Sequence, residues 1–572
     1  MLEIRSLQIN GLRTCRTQRI AVKPPSTDFF RSPLGGGELD TTVRHPQLSS
    51  RGNRRHQIIH LSYPENAMQD LKGKTIRGGL ARLLALGTGF LLRLGSLIVL
   101  ARLLDPKDFG LLGMVTAFTG VLGLFRDFGL SSAAVQRVTV TEDQMSTLFW
   151  INIFLGALLG LVVLAMAPAI AAFYHEPRLL GVTAVLASGF LFNAAGIQHS
   201  ALLQRQMRFT ALAMISVVSS IVGIVTGIVG ARAGYGYWAL VVMTVASPLI
   251  ATSGVWLSSG WVPGMPRRRT GIRSMMHFGG TLTLNGLVAY VAYNAEKVMI
   301  GRFWGADAIG IYGRAQQLIN TPTDNLNSAV GEVAFSALSR LQGDPVRFKS
   351  YYLKGFSLVL GFTLPITIAC ALFADDLVFC LLGQKWKDAA AIVRLLAPTI
   401  AIFAIINPLG WLTYSLGLVA RSLKIALVFA PIMITGYVIG LPYGPKGVAF
   451  AYSAVMMLWV IPHILWCVHG TAISLRDILL AVSRPLAAGT LAGALAFAVR
   501  LICGEFASPL SRVVLESSVL LATFFGTLLF VAGQKSLYID LVRGLKRPSL
   551  VVENLSGSAH CGARDHPSGD SA

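Results

Sequence analysis

The sequence predicts an all-α integral membrane protein of about fourteen transmembrane helices, arranged as two pseudo-symmetric six-helix lobes around a central cleft plus two extra helices. Composition, apolar runs of spanning length and an internal repeat each point that way. Of the 572 residues, 53% are hydrophobic and only 13% are charged, and the mean hydropathy is +0.62. A soluble chain carries about 25% charged residues. The formal charge of +22 is spread as short clusters between apolar runs. That suits anionic lipid headgroups and topology control, and it speaks against a nucleic-acid face, where the charge would gather in one patch.

The segment 1–67 differs from all that follows. It is rich in Pro, Ser, Arg and Gly, as in Lys23-Pro24-Pro25-Ser26, shows no helical or strand period and has no secretory h-region. It reads as a disordered basic tail, or as sequence ahead of a start at Met68; a regulatory tail is the functional alternative. From residue 80 onward, runs of the roughly 20 apolar residues needed to cross a bilayer recur. The expected spans are 83–104, 109–126, 147–173, 179–201, 211–230, 236–257, 276–300, 309–337, 355–374, 389–414, 422–440, 447–468, 485–502 and 513–533. The organisation that follows is an N-terminal lobe at 68–262, a C-terminal lobe at 263–470, two additional helices at 471–545 and a cytoplasmic tail at 546–572.

Loop charge sets orientation. One set of loops carries clusters such as Arg205 and Arg208, Arg267 to Arg269 with Arg273, and Arg347 with Lys349. The opposite set carries fewer, including Arg102, Lys107, Arg178 and Lys446. With Lys72, Lys74, Lys546 and Arg547 at the flanks, both termini are expected in the cytoplasm. The cysteines (Cys15, Cys370, Cys380, Cys467, Cys503 and Cys561) contain no C-x-x-C pair, so neither a disulfide framework nor a metal site is expected.

IVLARLLDPKDFGLLG at 98–113 aligns without gaps on VMIGRFWGADAIGIYG at 298–313. Arg102 matches Arg302, Gly110 matches Gly310 and Gly113 matches Gly313. Each segment ends one helix and opens the next, at the first hairpin of a six-helix set. An even helix number makes this a parallel repeat about an axis along the membrane normal, with alternating access by rocking.

The ordered segments ARLLDPKDFGLLGMV, FRDFGLSSAAVQR, TEDQMSTLFWINIFLGALLG, HSALLQRQMRF, NAEKVMIGRFWGADAIGIYGRAQQL and AFSALSRLQGDP resemble the polysaccharide-export (Wzx/WzxC-like) flippases of the multidrug/oligosaccharidyl-lipid/polysaccharide superfamily. The resemblance covers roughly 72–470. It implies a V-shaped bacterial inner-membrane transporter for undecaprenyl-pyrophosphate-linked oligosaccharide, serving lipopolysaccharide, O-antigen, capsule or exopolysaccharide synthesis. The partners it implies are the lipid-linked substrate, membrane lipids and the polysaccharide polymerase with its chain-length machinery. Two departures stand out: the N-terminal extension has no family counterpart, and Glu296-Lys297 stands where the family writes Asp-Arg or Asp-Lys.

An ionisable residue inside a span is a functional hypothesis by default. In the eighth span Arg314, Gln317, Thr321, Asp324, Ser328 and Glu332 form one polar stripe, interrupted by the kink expected at Pro322. The stripe either lines a cleft or is satisfied against neighbouring helices. Arg93, near the middle of the first span, is a candidate fork for the substrate's pyrophosphate, or one half of an ion pair with Glu296. Lys297 is a candidate phosphate contact and Glu296 a candidate ion-coupling carboxylate, with a local interfacial pair as the plainer alternative; Arg394 in the tenth span is ambiguous in the same way. The substrate-binding candidates are therefore Arg93, Lys297, Arg314, Gln317 and Arg394, and the ion-coupling candidates Glu296, Asp324 and Glu332. Asn193, Gln198 and His199 are sugar contacts or structural, and Arg102 and Arg302 are interface anchors.

No G-x-x-x-x-G-K-[ST] is present, so energy comes from gradients or from removal of product. No catalytic residue, cofactor or metal is expected. The rival readings are a cation-coupled multidrug exporter, disfavoured by the basic residues but kept by Asp324 and Glu332, a membrane-embedded sugar polymerase or ligase, disfavoured by short outer loops, and a membrane scaffold.

Overall fold

Hydrocarbon offers no partner to a free backbone group, so each spanning stretch must close its own hydrogen bonds as a helix. The computed structural model describes residues 67–126, 140–266, 273–503, 508–535 and 538–539. The expected tails at 1–67 and 546–572 lie outside the described residues except for Ala67. The helices are α1 (Ala67–Leu103), α2 (Pro106–Gly123), α3 (Glu142–Tyr174), α4 (Arg178–Arg205), α5 (Phe209–Arg232), α6 (Tyr237–Ser259), α7 (Arg273–Arg340), α8 (Pro345–Leu372), α9 (Ala374–Leu381), α10 (Lys387–Ser415), α11 (Val419–Gly440), α12 (Gly444–Val468), α13 (Leu475–Cys503) and α14 (Pro509–Gly526).

The long α7 breaks at Gly305, where φ is +80° and ψ −173°. A residue with a Cβ rarely adopts that conformation. The break divides α7 into α7a (273–304) and α7b (306–340). With the short α9 set aside, a helix stands at each of the fourteen expected spans. Ten stretches among the described residues are long and apolar enough to cross a membrane, and one of them, Val419–Val468, holds both α11 and α12. Neither α2 nor α7 is among the ten, and both line the site described below, with its charged residues on α7.

Helix ends follow local chemistry. Thr141 accepts from the Gln144 amide at 3.2 Å while Gln144 reaches back to the Thr141 amide at 3.1 Å, a reciprocal cap that opens α3. Asp344 accepts from the amides of Val346 and Arg347 ahead of α8, and Pro345 takes the first helical position, where no N–H is needed. Large apolar side chains such as Phe154, Leu458, Leu501 and Phe530 point outward. In water this would be an aggregating surface; around a bundle of spanning helices it is the lipid-facing coat.

Helices α1 and α3 to α6 pack chiefly on one another, through α3 with α4, α5 with α6, α4 with α6 and α1 with α5; α10 packs on α7, α8 and α12, and α11 on α12 and α7. The densest contact between the two sets joins α2 to α7, where the repeated hairpins meet. A Cβ on Gly110 would lie 1.8 Å from the Ala306 carbonyl oxygen, and one on Gly310 would lie 1.9 Å from that of Pro106. Around this contact Lys385 pairs with Asp105 at 2.7 Å, and Arg102 donates to the Cys380 carbonyl at 2.6 Å. The fully buried Trp386 donates to the Ala101 carbonyl at 2.7 Å. The hairpin end of the bundle is thereby closed.

The extra helices α13 and α14 pack on each other and on α8. Arg512 of α14 pairs with the buried Asp376 of α9 at 2.6 Å, and Arg500 of α13 approaches the same carboxylate at 3.8 Å.

Candidate translocation site

A cavity of about 390 Å³ opens between α2 and α7, below the closed hairpins. Helix α2 contributes Phe109, Leu112, Gly113 and Thr116, α7a contributes Lys297, and α7b supplies the wall from Ile309 to Asp324. At 1.5 Å per residue that wall runs for roughly 22 Å along the helix. It includes Arg314, Gln317, Thr321 and Asp324, so this part of the polar stripe borders a cavity. The side chains of Ser328 and Glu332 lie outside the described residues.

Arg314 is held without a carboxylate. Its guanidinium carbon lies 4.2 Å from the centre of the Phe109 ring, its Nη1 donates to Gln317 Oε1, and its buried Nε has no hydrogen-bond acceptor. Lys297 donates from Nζ to Asn294 Oδ1 at 2.8 Å. Among the described residues neither cation takes part in an ion pair. Charge of this kind is costly to bury alone, and a planar guanidinium bordering a cavity is suited to phosphate oxygens. Asp324 stands at the opposite end of the wall, about 15 Å along the helix from Arg314.

Glu296 sits one residue from Lys297 but outside the cavity. It is fully buried and accepts from Gln316 Nε2 at 3.1 Å, and Gln316 lines the cavity. Glu296 Oε2 has no hydrogen-bond partner. The buried phenols of Tyr312, Tyr437 and Tyr452 lie close enough to feel its charge. No ion pair joins Glu296 to Lys297 or Arg93 among the described residues. Arg93 instead donates from Nε to the Gly89 carbonyl at 3.1 Å and exerts its charge on Asp324, so it stands near one end of the cavity without lining it.

Arg394 is not brought to this site. It pairs with Asp375 within the α9 cluster that also holds Arg500. His199 stacks on Trp256 at 4.3 Å and meets the Trp261 carbonyl at 3.3 Å, a structural setting. Arg302 lies over the rings of Phe173 and Phe303, and Arg102 ties the end of α1 to α9 through the Cys380 carbonyl. Sequence reasoning missed the α2 wall and the pair Gln316 and Asn320. Phe109 gave no polar signal, although it precedes the repeated Gly110.

Known proteins fit this architecture. The family model described as "Polysaccharide biosynthesis protein" matches residues 99–391. The chain is 25% identical over 400 residues to the lipopolysaccharide biosynthesis protein WzxC of Escherichia coli (strain K12), covering 68% of this chain and 80% of that protein. It is 27% identical to the teichuronic acid biosynthesis protein TuaB of Bacillus subtilis (strain 168), covering 66% of this chain and 84% of that one. In fold it is similar to the lipid II flippase MurJ in an inward closed conformation, with a TM-score of 0.61 and 13% identity over 79% of this chain and all of MurJ. An inward-facing multidrug resistance MATE transporter gives a TM-score of 0.55 and 16% identity, covering 66% of this chain and 93% of that one. With its family model spanning more than half of its length, the chain belongs to the polysaccharide biosynthesis protein family.

Proposed function

We propose that the protein is a flippase, a transporter and not a catalyst, that moves undecaprenyl-pyrophosphate-linked oligosaccharide from the cytoplasmic to the periplasmic leaflet of the bacterial inner membrane, with both termini in the cytoplasm. The observation that carries this reading is that Lys297 and Arg314, which take part in no ion pair among the described residues, face one cavity between the two repeated hairpins. The diphosphate supplies an anion that both can bind, and Gln317, Thr321 and Asn320 add hydrogen-bonding groups beside it. The polyprenyl tail stays in lipid while the head crosses. The lobes 68–262 and 263–470 rock about the α2–α7 contact, and the closed hairpin end leaves the cavity facing the cytoplasm.

Outward movement of one negative charge across a membrane potential of 100 mV, inside negative, is favourable by about 2.3 kcal/mol. The buried carboxylate of Glu296, joined to the cavity through Gln316, is the coupling candidate, with Asp324 at the cavity's far end and Glu332 further along α7b. The polymerase and chain-length machinery would take the delivered repeat unit. Asp324 and the MATE-like fold support one alternative, export of organic cations. Growth of a deletion strain on ethidium separates the two: a flippase leaves resistance unchanged and loses surface polysaccharide, whereas loss of resistance with intact polysaccharide overturns the proposal.

A further inference from the structure

A second cavity, of about 380 Å³, lies among α7, α10, α11 and α12. It neighbours the first through α7b, where Asp324 lines one cavity and Asn327, nearly one turn on, lines the other. Their chemistry differs. The first presents Lys297, Arg314 and Asp324. The described lining of the second has no Lys, Arg, Asp or Glu.

What it offers is aromatic faces with neutral hydrogen-bonding groups between them. Tyr293 stands 5.6 Å from Phe429 and 5.7 Å from Phe403, and Trp411 and Tyr414 also face the space. Asn327, Asn407, Thr413 and Ser422 supply amides and hydroxyls. The Asn327 Oδ1 is buried and accepts no hydrogen bond, an acceptor left waiting for a donor. His463 Nδ1 accepts from Trp459 Nε1 at 3.2 Å, so the neutral ring keeps its proton on Nε2 as a further donor. Apolar rings set beside neutral amides and hydroxyls match a pyranose, which has a C–H face and a rim of hydroxyls.

Building on the proposed flippase reading, we infer that this cavity is a sugar subsite that receives the uncharged sugar nearest the diphosphate while the diphosphate occupies the α2–α7 cavity. The substrate's charge and its first ring are thus read separately, by Lys297 in the first cavity and by Tyr293 in the second, roughly 6 Å apart along α7a. A uronic acid in that position would be rejected, since nothing in the described lining neutralises it.

The test uses the full chain in lipid nanodiscs, with equilibrium binding of three probes: bare undecaprenyl pyrophosphate, and the same carrier bearing N-acetylglucosamine or glucuronic acid. The N-acetylglucosamine carrier should bind about tenfold tighter than the bare one, the scale of one or two neutral hydrogen bonds. Glucuronic acid should add nothing. Asn327→Leu and Tyr293→Leu should each erase the sugar increment and leave bare-carrier affinity unchanged, which also shows that they fold. Arg314→Ala should weaken all three carriers alike. Equal binding of the three by the wild type, or an increment that survives in both variants, overturns the subsite while the diphosphate site stands. A wild type that binds none of them overturns the flippase reading and the subsite together.

Discussion

Gly110 and Gly310, 200 residues apart and equivalent in the two repeats, each press on the other repeat's helix start: Gly110 on Ala306, Gly310 on Pro106. Because Pro106 and Ala306 are themselves equivalent, the contact is its own mirror under the pseudo-twofold axis, like the self-complementary patch of a symmetric dimer. Backbone meets backbone there, so any side chain forces the hairpins apart.

That geometry makes the glycine pair a test of which end is shut. Gly110→Leu and Gly310→Leu should each hold the hairpin end open and lower transport by about tenfold or more, since overpacking costs 1–3 kcal/mol and 1.4 kcal/mol is a factor of ten. A cysteine at Gly113, labelled by a membrane-impermeant maleimide from outside intact spheroplasts, should react faster in either background. Unchanged labelling would place the seal elsewhere.

The Arg314 guanidinium is expected to be more than a charge. Its Phe109 face and Gln317 contact fix the plane of the fork that borders the cavity. Arg314→Ala should weaken carrier binding by about 30-fold or more, as truncation of a buried charged partner costs 2–5 kcal/mol. Arg314→Lys should recover only part of it, because lysine keeps the charge without the fork. Full recovery in the lysine variant, read by the same binding titration, would reduce the role of Arg314 to simple electrostatics.

Glu296 has one oxygen on Gln316 and one free. Glu296→Gln keeps the size and a hydrogen-bonding partner for Gln316, so the protein should fold and bind carrier. Translocation in proteoliposomes should lose its response to an imposed proton or sodium gradient. Retention of that response would move coupling to Asp324 or Glu332.

Arg512 and Asp376 fasten α14 to α9. Removing the cation leaves a carboxylate that is only 6% exposed, partly compensated by Arg500 at 3.8 Å. Arg512→Ala should lower stability toward SDS unfolding by about 2 kcal/mol, below the 3–5 kcal/mol of a fully buried pair. Adding Asp376→Asn should restore much of it. A double variant no more stable than the single one would mean that the pair does not fasten the helix.

The sequence was informative wherever one helix carries its own signal. Span positions follow from apolar runs, and the stripe from Arg314 to Asp324 follows from three- and four-residue spacing; the structure sets that stripe on a cavity wall. The repeat at 98–113 and 298–313 showed where symmetry lies, but not that the two copies touch. What remained hidden depends on neighbours. Periodicity cannot tell that Arg394 faces Asp375 across a short connecting helix, that Arg93 answers to Asp324 rather than Glu296, or that apolar α2 forms the opposite wall. The second cavity was hidden for the same reason, because Tyr293, Asn327, Trp411 and His463 come from four helices and share no spacing.

The most direct measurement is translocation of fluorescently labelled undecaprenyl-pyrophosphate oligosaccharide in proteoliposomes carrying the full chain, read by dithionite quenching of the leaflet facing the buffer. Wild-type protein should expose the inner-leaflet pool to the quencher. The double variant Lys297→Ala/Arg314→Ala, inserted to the same level, should match protein-free vesicles. Equal translocation by the two proteins would contradict the claim that these two cations carry the diphosphate head across.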